Sequence, residues 1–187
     1  PEVRAALLAE DEPAMGDEFM DTILSGWDKL YELGNPPNYE PAPEDSIAAQ
    51  AAAAGVPPRE YCFDLMMKND GKNVIYFPCF GYGANDLSRQ VALLEDDSTV
   101  ISLADTGAHC GVLCDASVPT QMLSYYVRDR QRGHRLALET AVKMQPLDTA
   151  RCVGLEDRGT LEVGMKADMN IFDFDELQLE APEIIFD

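Results

Sequence analysis

A short apolar run, TVISL at residues 99–103, ends on Ala104 and then a carboxylate, Asp105. Its apolar residues are continuous rather than alternating. That pattern belongs to a strand buried on both faces, as in a parallel sheet covered by helices. The residues before it agree. NVIYF at residues 73–77 is β-branched and aromatic and follows a Gly-Lys turn, which predicts a strand. Asp86 is placed to cap a helix through Leu94, with Leu87, Val91 and Leu94 facing inward. Strand, helix and strand make a βαβ unit, right-handed by default. A last strand is expected at residues 169–174 (MNIFDF). The chain therefore reads as an α/β protein.

Helical signals fill most of the remainder. Residues 1–10 place Val3, Leu7 and Leu8 on one face. A second helix is expected over residues 18–33, with Phe19, Ile23, Trp27, Leu30 and Tyr31 inward, ended by Gly34. Four prolines in GNPPNYEPAPEDS (Pro36, Pro37, Pro41 and Pro43) exclude regular structure and predict an extended loop. Asp45 or Ser46 then caps IAAQAAAA, which stops at Gly55. Pro57 and Pro58 open another helix that closes near Gly71. Three more follow at residues 121–130, 136–144 and 147–153; Met122, Leu123, Tyr126 and Val127 of the first point inward.

Charge narrows the partners. Of 187 residues, 34 are acidic and 14 are Lys or Arg, a net charge of −20. Such a chain repels phosphate backbones and anionic membrane surfaces, so neither nucleic acid nor membrane is expected. The densest basic stretch, RDRQRGHR at residues 128–135, contains Asp129 and reads as a solvated helix end, with His134 at its surface. No apolar run approaches the roughly 18 residues of a membrane span. Five widely spread cysteines (Cys62, Cys79, Cys110, Cys114 and Cys152) do not make a disulfide framework. Reduced thiols and a cytoplasmic location are the simpler expectation. The length suits one domain with its own core. Pro1 at the start and PEIIFD at the finish nevertheless read as cuts through a longer chain.

The segment ISLADTGAH at residues 101–109 carries the strongest chemical signal. Ligands of parallel α/β folds bind at the carboxyl ends of strands. A carboxylate there, Asp105, serves as a metal ligand or general base. Gly107 and Ala108 admit a close backbone approach, and His109 returns a second polar group. Asp105 as the cap of a turn and His109 as an ordinary loop residue is the plainer alternative. His109, Cys110, Cys114 and Asp115 are also metal-competent types, but their spacing is loose for a zinc site, and small thiols packing a loop explain them as well. Cys110 or Cys114 as a nucleophile beside His109 lacks a group to orient the imidazole.

These residues resemble a family. ADTGAHCGVLCDASVPTQMLSYYVRDR, LALETAV and GLEDRGTLEVGMKADMNIFD are similar to the carboxyl-terminal half of the N-acyl-D-amino-acid deacylases (D-aminoacylases) of the metal-dependent amidohydrolase superfamily. PEVRAALLAE, NYEPAPEDSIAAQAA and FGYGANDL extend the likeness over nearly the whole chain. The resemblance implies the C-terminal part of a distorted (β/α)8, or TIM, barrel over residues 1–153. It implies the start of a small β-sandwich over residues 154–187. The Pro-rich excursion near residues 20–70 is expected as a lid. The likeness departs at Gly81, Ser102, Ala104 and Pro146, none of which removes Asp105.

On this resemblance Asp105 ends the last barrel strand, contacts the metal region and shuttles a proton, and His109 meets the substrate carboxylate. The implied cofactor is zinc, one or two ions. Its HxH pair and other ligands are not in this chain, whose two histidines are separate, and they are expected in an N-terminal part that precedes it. The implied reaction is deacylation of an N-acyl-D-amino acid or related amide, with this piece inactive alone. An acidic interaction or regulatory domain on the same scaffold is the alternative. An incomplete barrel exposes strand edges and helix faces, so self-association is expected.

Overall fold

A computed structural model describes residues 2–10, 16, 18–79, 81–101 and 117–184. The chain divides into two compact units, Pro1–Asp86 with Ala181–Asp187, and Leu87–Glu180.

In the first unit, α1 (Glu2–Ala9) and α2 (Glu18–Ser25) precede a two-residue strand, β1 (Tyr31–Glu32). A turn of 3₁₀ helix at Pro43–Asp45 leads into α3 (Ile47–Ala54). The alanines of α3 favour helix, and both of its ends are closed. The Ser46 hydroxyl accepts from the Ala49 amide at 3.2 Å, and Gly55 is left-handed at φ 71°. The Val56 amide reaches back to the Ala51 carbonyl at 3.1 Å, completing the stop. α4 (Pro58–Met66) starts on a proline whose missing N–H no helix needs. α5 (Lys68–Gly71) is no continuation of it. Asn69, Asp70 and Gly71 all take positive φ (53°, 58° and 79°), which reverses the chain into β2 (Ile75–Tyr76).

β1 and β2 pair antiparallel, Tyr31 opposite Tyr76 and Glu32 opposite Ile75. Around this short ladder sits a core of Leu30, Ile47, Cys62 and Leu65, with Trp27, Tyr61, Ile75 and Phe77 packed on it. Burial raises the pKa of the Cys62 thiol. α1 buries none of its residues, and Val3 and Leu7 are exposed. Two arginines hold it instead. Arg4 of α1 bonds both carboxylate oxygens of Asp64 at 2.7 Å and Glu60 at 2.8 Å. Arg59 of α4 donates in return to the carbonyls of Glu10 (2.6 Å) and Leu7 (3.2 Å).

The second unit begins with α6 (Ser88–Leu94), which buries Val91 beside Leu87. α7 (Val118–Gln121) widens without a break into a π-helix, Met122–Asp129. α8 (Leu138–Lys143) does the same into Met144–Asp148 before α9 (Thr149–Cys152). The Arg130 side chain is buried and donates to the His134 carbonyl and to the Ser88 hydroxyl.

Residues 153–180 form no strand or helix and are held by side chains and a few backbone bonds, among them the Lys166 N–H to the Asp157 carbonyl at 2.7 Å. Arg158 pairs with Asp157 at 2.9 Å and with Asp168 at 3.8 Å, and Lys166 reaches Asp168 at 3.0 Å. Gly159 lies so close to the next segment that a Cβ there would meet the Leu147 Cα at 2.7 Å. Farther on, Arg128 donates to the carbonyls of Phe174, Asp175 and Leu177 and stacks over the Phe174 ring.

Four sequence expectations change. The helix expected over residues 18–33 ends at Ser25, because the following backbone is taken elsewhere: Leu33 donates to Val74, and Ile47 donates to Leu30. The βαβ unit does not form among the described residues. β2 is paired antiparallel, and residues 99–101 have no ladder partner; residues 102–103 lie outside the described set. Residues 169–174 are not a strand: none of the described residues pairs with them, and Ile171 is 99% exposed. α6 begins at Ser88 with Leu87 as its N-cap residue, one position after the expected Asp86.

Candidate functional site

Asp105 and His109, with Cys110, Cys114 and Asp115, fall in residues 102–116, outside the described residues. The structure does show the ground on either side. Ile101 and Val118 both line a cavity of about 540 Å³ in the second unit. That lies within the range of small-molecule sites, about 300–1,000 Å³.

Three helical segments build the cavity. α6 contributes Gln90, Leu93 and Leu94, and its continuation adds Thr99 and Val100. α7 and the first π-helix contribute Pro119, Gln121, Met122 and Tyr126. The second π-helix brings Gln145, followed by Thr149. A π-helix closes its hydrogen bonds over one residue more than an α-helix and is frequent at functional sites. Here the π-helix buries Met122, Ser124 and Tyr126.

The polar groups of the wall are fixed by one another. The Tyr126 hydroxyl donates to Gln90 Oε1 at 2.7 Å. Gln145 Nε2 donates to the Pro119 carbonyl at 3.1 Å, which ties the second π-helix to the start of α7. Thr149 Oγ1 donates to the Gln145 carbonyl, and Thr99 Oγ1 donates to those of Leu93 (2.5 Å) and Asp96 (3.0 Å). No Asp, Glu, Lys or Arg among the described residues lines the cavity, although the chain carries 48 such residues (14 + 34). The wall is apolar with neutral amides and hydroxyls. The described residues of the wall offer a buried charge no ionic partner.

The other sequence candidates are placed as follows. His134 is exposed, and its Nε2 meets Glu95 at 2.8 Å. Cys62, Cys79 and Cys152 are free thiols, the first buried and the others exposed. The segment at residues 157–170 is a structural clasp, with Gly159 seated against Leu147 and the Asp157–Arg158–Asp168–Lys166 pairs at the surface. Among the described residues no three His, Cys, Asp or Glu are grouped to hold a metal ion, so these residues do not fit a zinc site. No helix among them is long and apolar enough to cross a membrane. Sequence reasoning missed Gln90, Gln121 and Gln145. Glutamine on a helix is ordinary surface by pattern, and only the shared cavity distinguishes them.

A family model described as the amidohydrolase family matches residues 1–185, almost the entire chain. The chain belongs to the amidohydrolase family. Amidohydrolases are hydrolases acting on C–N bonds, and they generally bind metals. Membership implies a TIM-barrel-type α/β fold; the described residues of this amidohydrolase are rich in helix, with one small two-stranded sheet. No curated protein and no solved structure matches the chain.

Proposed function

We propose that this amidohydrolase deacylates N-acyl-D-amino acids. The family match carries the reading as far as C–N hydrolysis. The likeness of DTGAH, residues 105–109, and of CDASVPT, residues 114–120, to the D-aminoacylases takes it to the substrate. The cavity lined by Ile101 and Val118, whose described wall carries no charged side chain, supports it, because an acyl chain and an amide are uncharged.

In this reading Asp105 is the proton carrier. Its carboxylate takes a proton as water adds to the amide carbonyl carbon, and gives that proton to the departing amine as the C–N bond breaks. A carboxylate and an amine leave. His109 pairs with the substrate carboxylate. Zinc is the proposed metal, with ligands outside the described residues, and would supply Lewis-acid polarisation. Residues 1–153 are proposed as barrel and residues 154–187 as the start of the sandwich, in a cytoplasmic enzyme.

The test uses the full-length protein. Metal content is measured together with amine release from N-acyl-D- and N-acyl-L-amino acids, and Asp105→Asn is the control. Release from the D series, falling by about 10²-fold or more in the variant, is the expected result. Unchanged release in Asp105→Asn overturns the role of Asp105. A metal-free protein with no release from any N-acyl amino acid favours an interaction domain on the same scaffold.

A further inference from the structure

We propose that Asp70 is a site of spontaneous backbone modification: the amide nitrogen of Gly71 attacks its side chain, and the pair passes through a cyclic succinimide to isoaspartate. The only co-reactant is water, and nothing in the proposal depends on the hydrolytic reading above.

The nucleophile is unhindered. Residues 70–71 are the one Asp-Gly pair in the chain. A nitrogen that belongs to glycine has no Cβ beside it to block the approach. The structure keeps the space around it open as well: a Cβ built on Gly71 would meet nothing within 4 Å. The electrophile is equally accessible. Asp70 is exposed, and no described residue bonds or pairs with its carboxyl group.

The backbone supplies the motion. Ring closure requires Asp70 to leave its ψ of 37°, so that the Gly71 nitrogen swings onto Cγ. Asn69 and Asp70 both sit in the left-handed region, at φ 53° and 58°, which is strained for a residue with a Cβ. The Lys72 N–H to the Asn69 carbonyl, at 3.2 Å, spans this reversal. A strained, exposed turn opens at low cost. Two other aspartates precede a serine and are better protected. Asp45 Oδ2 accepts the Ala42 N–H at 3.2 Å, and Ser46 after it is buried. Ser98, which follows Asp97, commits its N–H to Asp96 Oδ1 at 2.8 Å.

The atoms balance. The Gly71 nitrogen bonds to Asp70 Cγ, and the N–H proton leaves with the carboxyl hydroxyl as water. Water then adds back to one ring carbonyl. Opening at Cγ restores aspartate. Opening at the Asp70 main-chain carbonyl routes the chain through Cγ and frees that carbonyl as a carboxylate. The main chain gains one methylene just before the contacts that dock β2, the Asn73 side chain on Glu32 at 2.8 Å and the Leu33 N–H on the Val74 carbonyl at 3.1 Å.

The full-length protein and a synthetic peptide of residues 67–76 (MKNDGKNVIY) are incubated side by side in warm, neutral, heavy-oxygen water. Isoaspartate is located by peptide mass spectrometry and counted by enzymatic methylation of the new carboxylate. It is expected at residue 70 ahead of residues 45 and 97, with heavy oxygen incorporated. Its rate in the protein is expected to be at least about a tenth of that in the peptide, so that the fold protects the site by no more than ~1.4 kcal/mol. Asp70→Asn is expected to convert faster, with release of ammonia. Asp70→Glu, which would have to close a six-membered ring, is expected to lose the conversion. Residue 70 is exposed, so both variants fold. A protein rate below a tenth of the peptide's overturns the proposal, as does isoaspartate appearing first at residue 45 or 97, conversion without heavy oxygen, or an Asp70→Asn protein that releases no ammonia.

Discussion

Gly159 is held at φ +95° with the Leu147 backbone against it, and Gly164 is held at φ +97° in open space. The two glycines separate conformational strain from collision. Gly164→Ala meets only the strain and is expected to cost about 1 kcal/mol. Gly159→Ala must also push a backbone aside, and roughly 3 kcal/mol is expected. Paired urea denaturation curves measure the difference, and equal costs would remove the close approach as its cause. The Arg4–Asp64 pair makes a second prediction. The guanidinium bonded to both oxygens holds the Asp64 carboxyl below the usual carboxylate range. Its folded pKa is depressed, so the pair contributes above the ordinary carboxylate pKa and is lost as pH falls through the lowered one. Both side chains are exposed and the contribution is small. A carboxyl NMR titration is expected to place the Asp64 midpoint low, and Arg4→Gln is expected to return it upward.

α3 is the element whose ends were most legible, because each end has a residue with one job. Ser46 offers a hydroxyl to a free amide, and Gly55 turns left-handed. Ser46→Ala is expected to cost about 1 kcal/mol, read as a drop in the denaturation midpoint with Trp27 fluorescence as the probe. α4 was legible through Pro58 for the same reason. The signals that failed were those set by partners at a distance. TVISL has the composition of a buried strand; residues 99–101 have no ladder partner among the described residues, and residues 102–103 lie outside them. Apolar spacing ran a helix past Gly26, whereas hydrogen bonds from Leu33 to Val74 and from Ile47 to Leu30 claimed that backbone. The inward positions Met122 and Tyr126 came out right, because residues four apart stay near one face in either helix type. The π-widening itself has no signature in composition. At the candidate site the sequence marked Asp105 and His109, which lie outside the described residues, while the cavity lined by Ile101 and Val118 arises where α6, α7 and two π-helices converge.

At the scale of the molecule, a charge of −20 sits on a chain that exposes Leu161, Val163, Met169, Ile171 and Phe172. Repulsion and apolar contact oppose each other, and salt decides between them. Sedimentation velocity is expected to show apparent mass rising with protein concentration, more steeply in about 0.5 M NaCl than in low salt. Ile171→Asp is expected to flatten that rise. A single monomeric boundary at every salt and concentration would rule out self-association. The same run of chain ends where Arg128 collects the carbonyls of Phe174, Asp175 and Leu177. A sheet releases a strand rung by rung, so its edge frays by degrees. A segment gathered on one guanidinium behaves as a latch. One side chain thus holds three carbonyls of a segment that shares no ladder among the described residues.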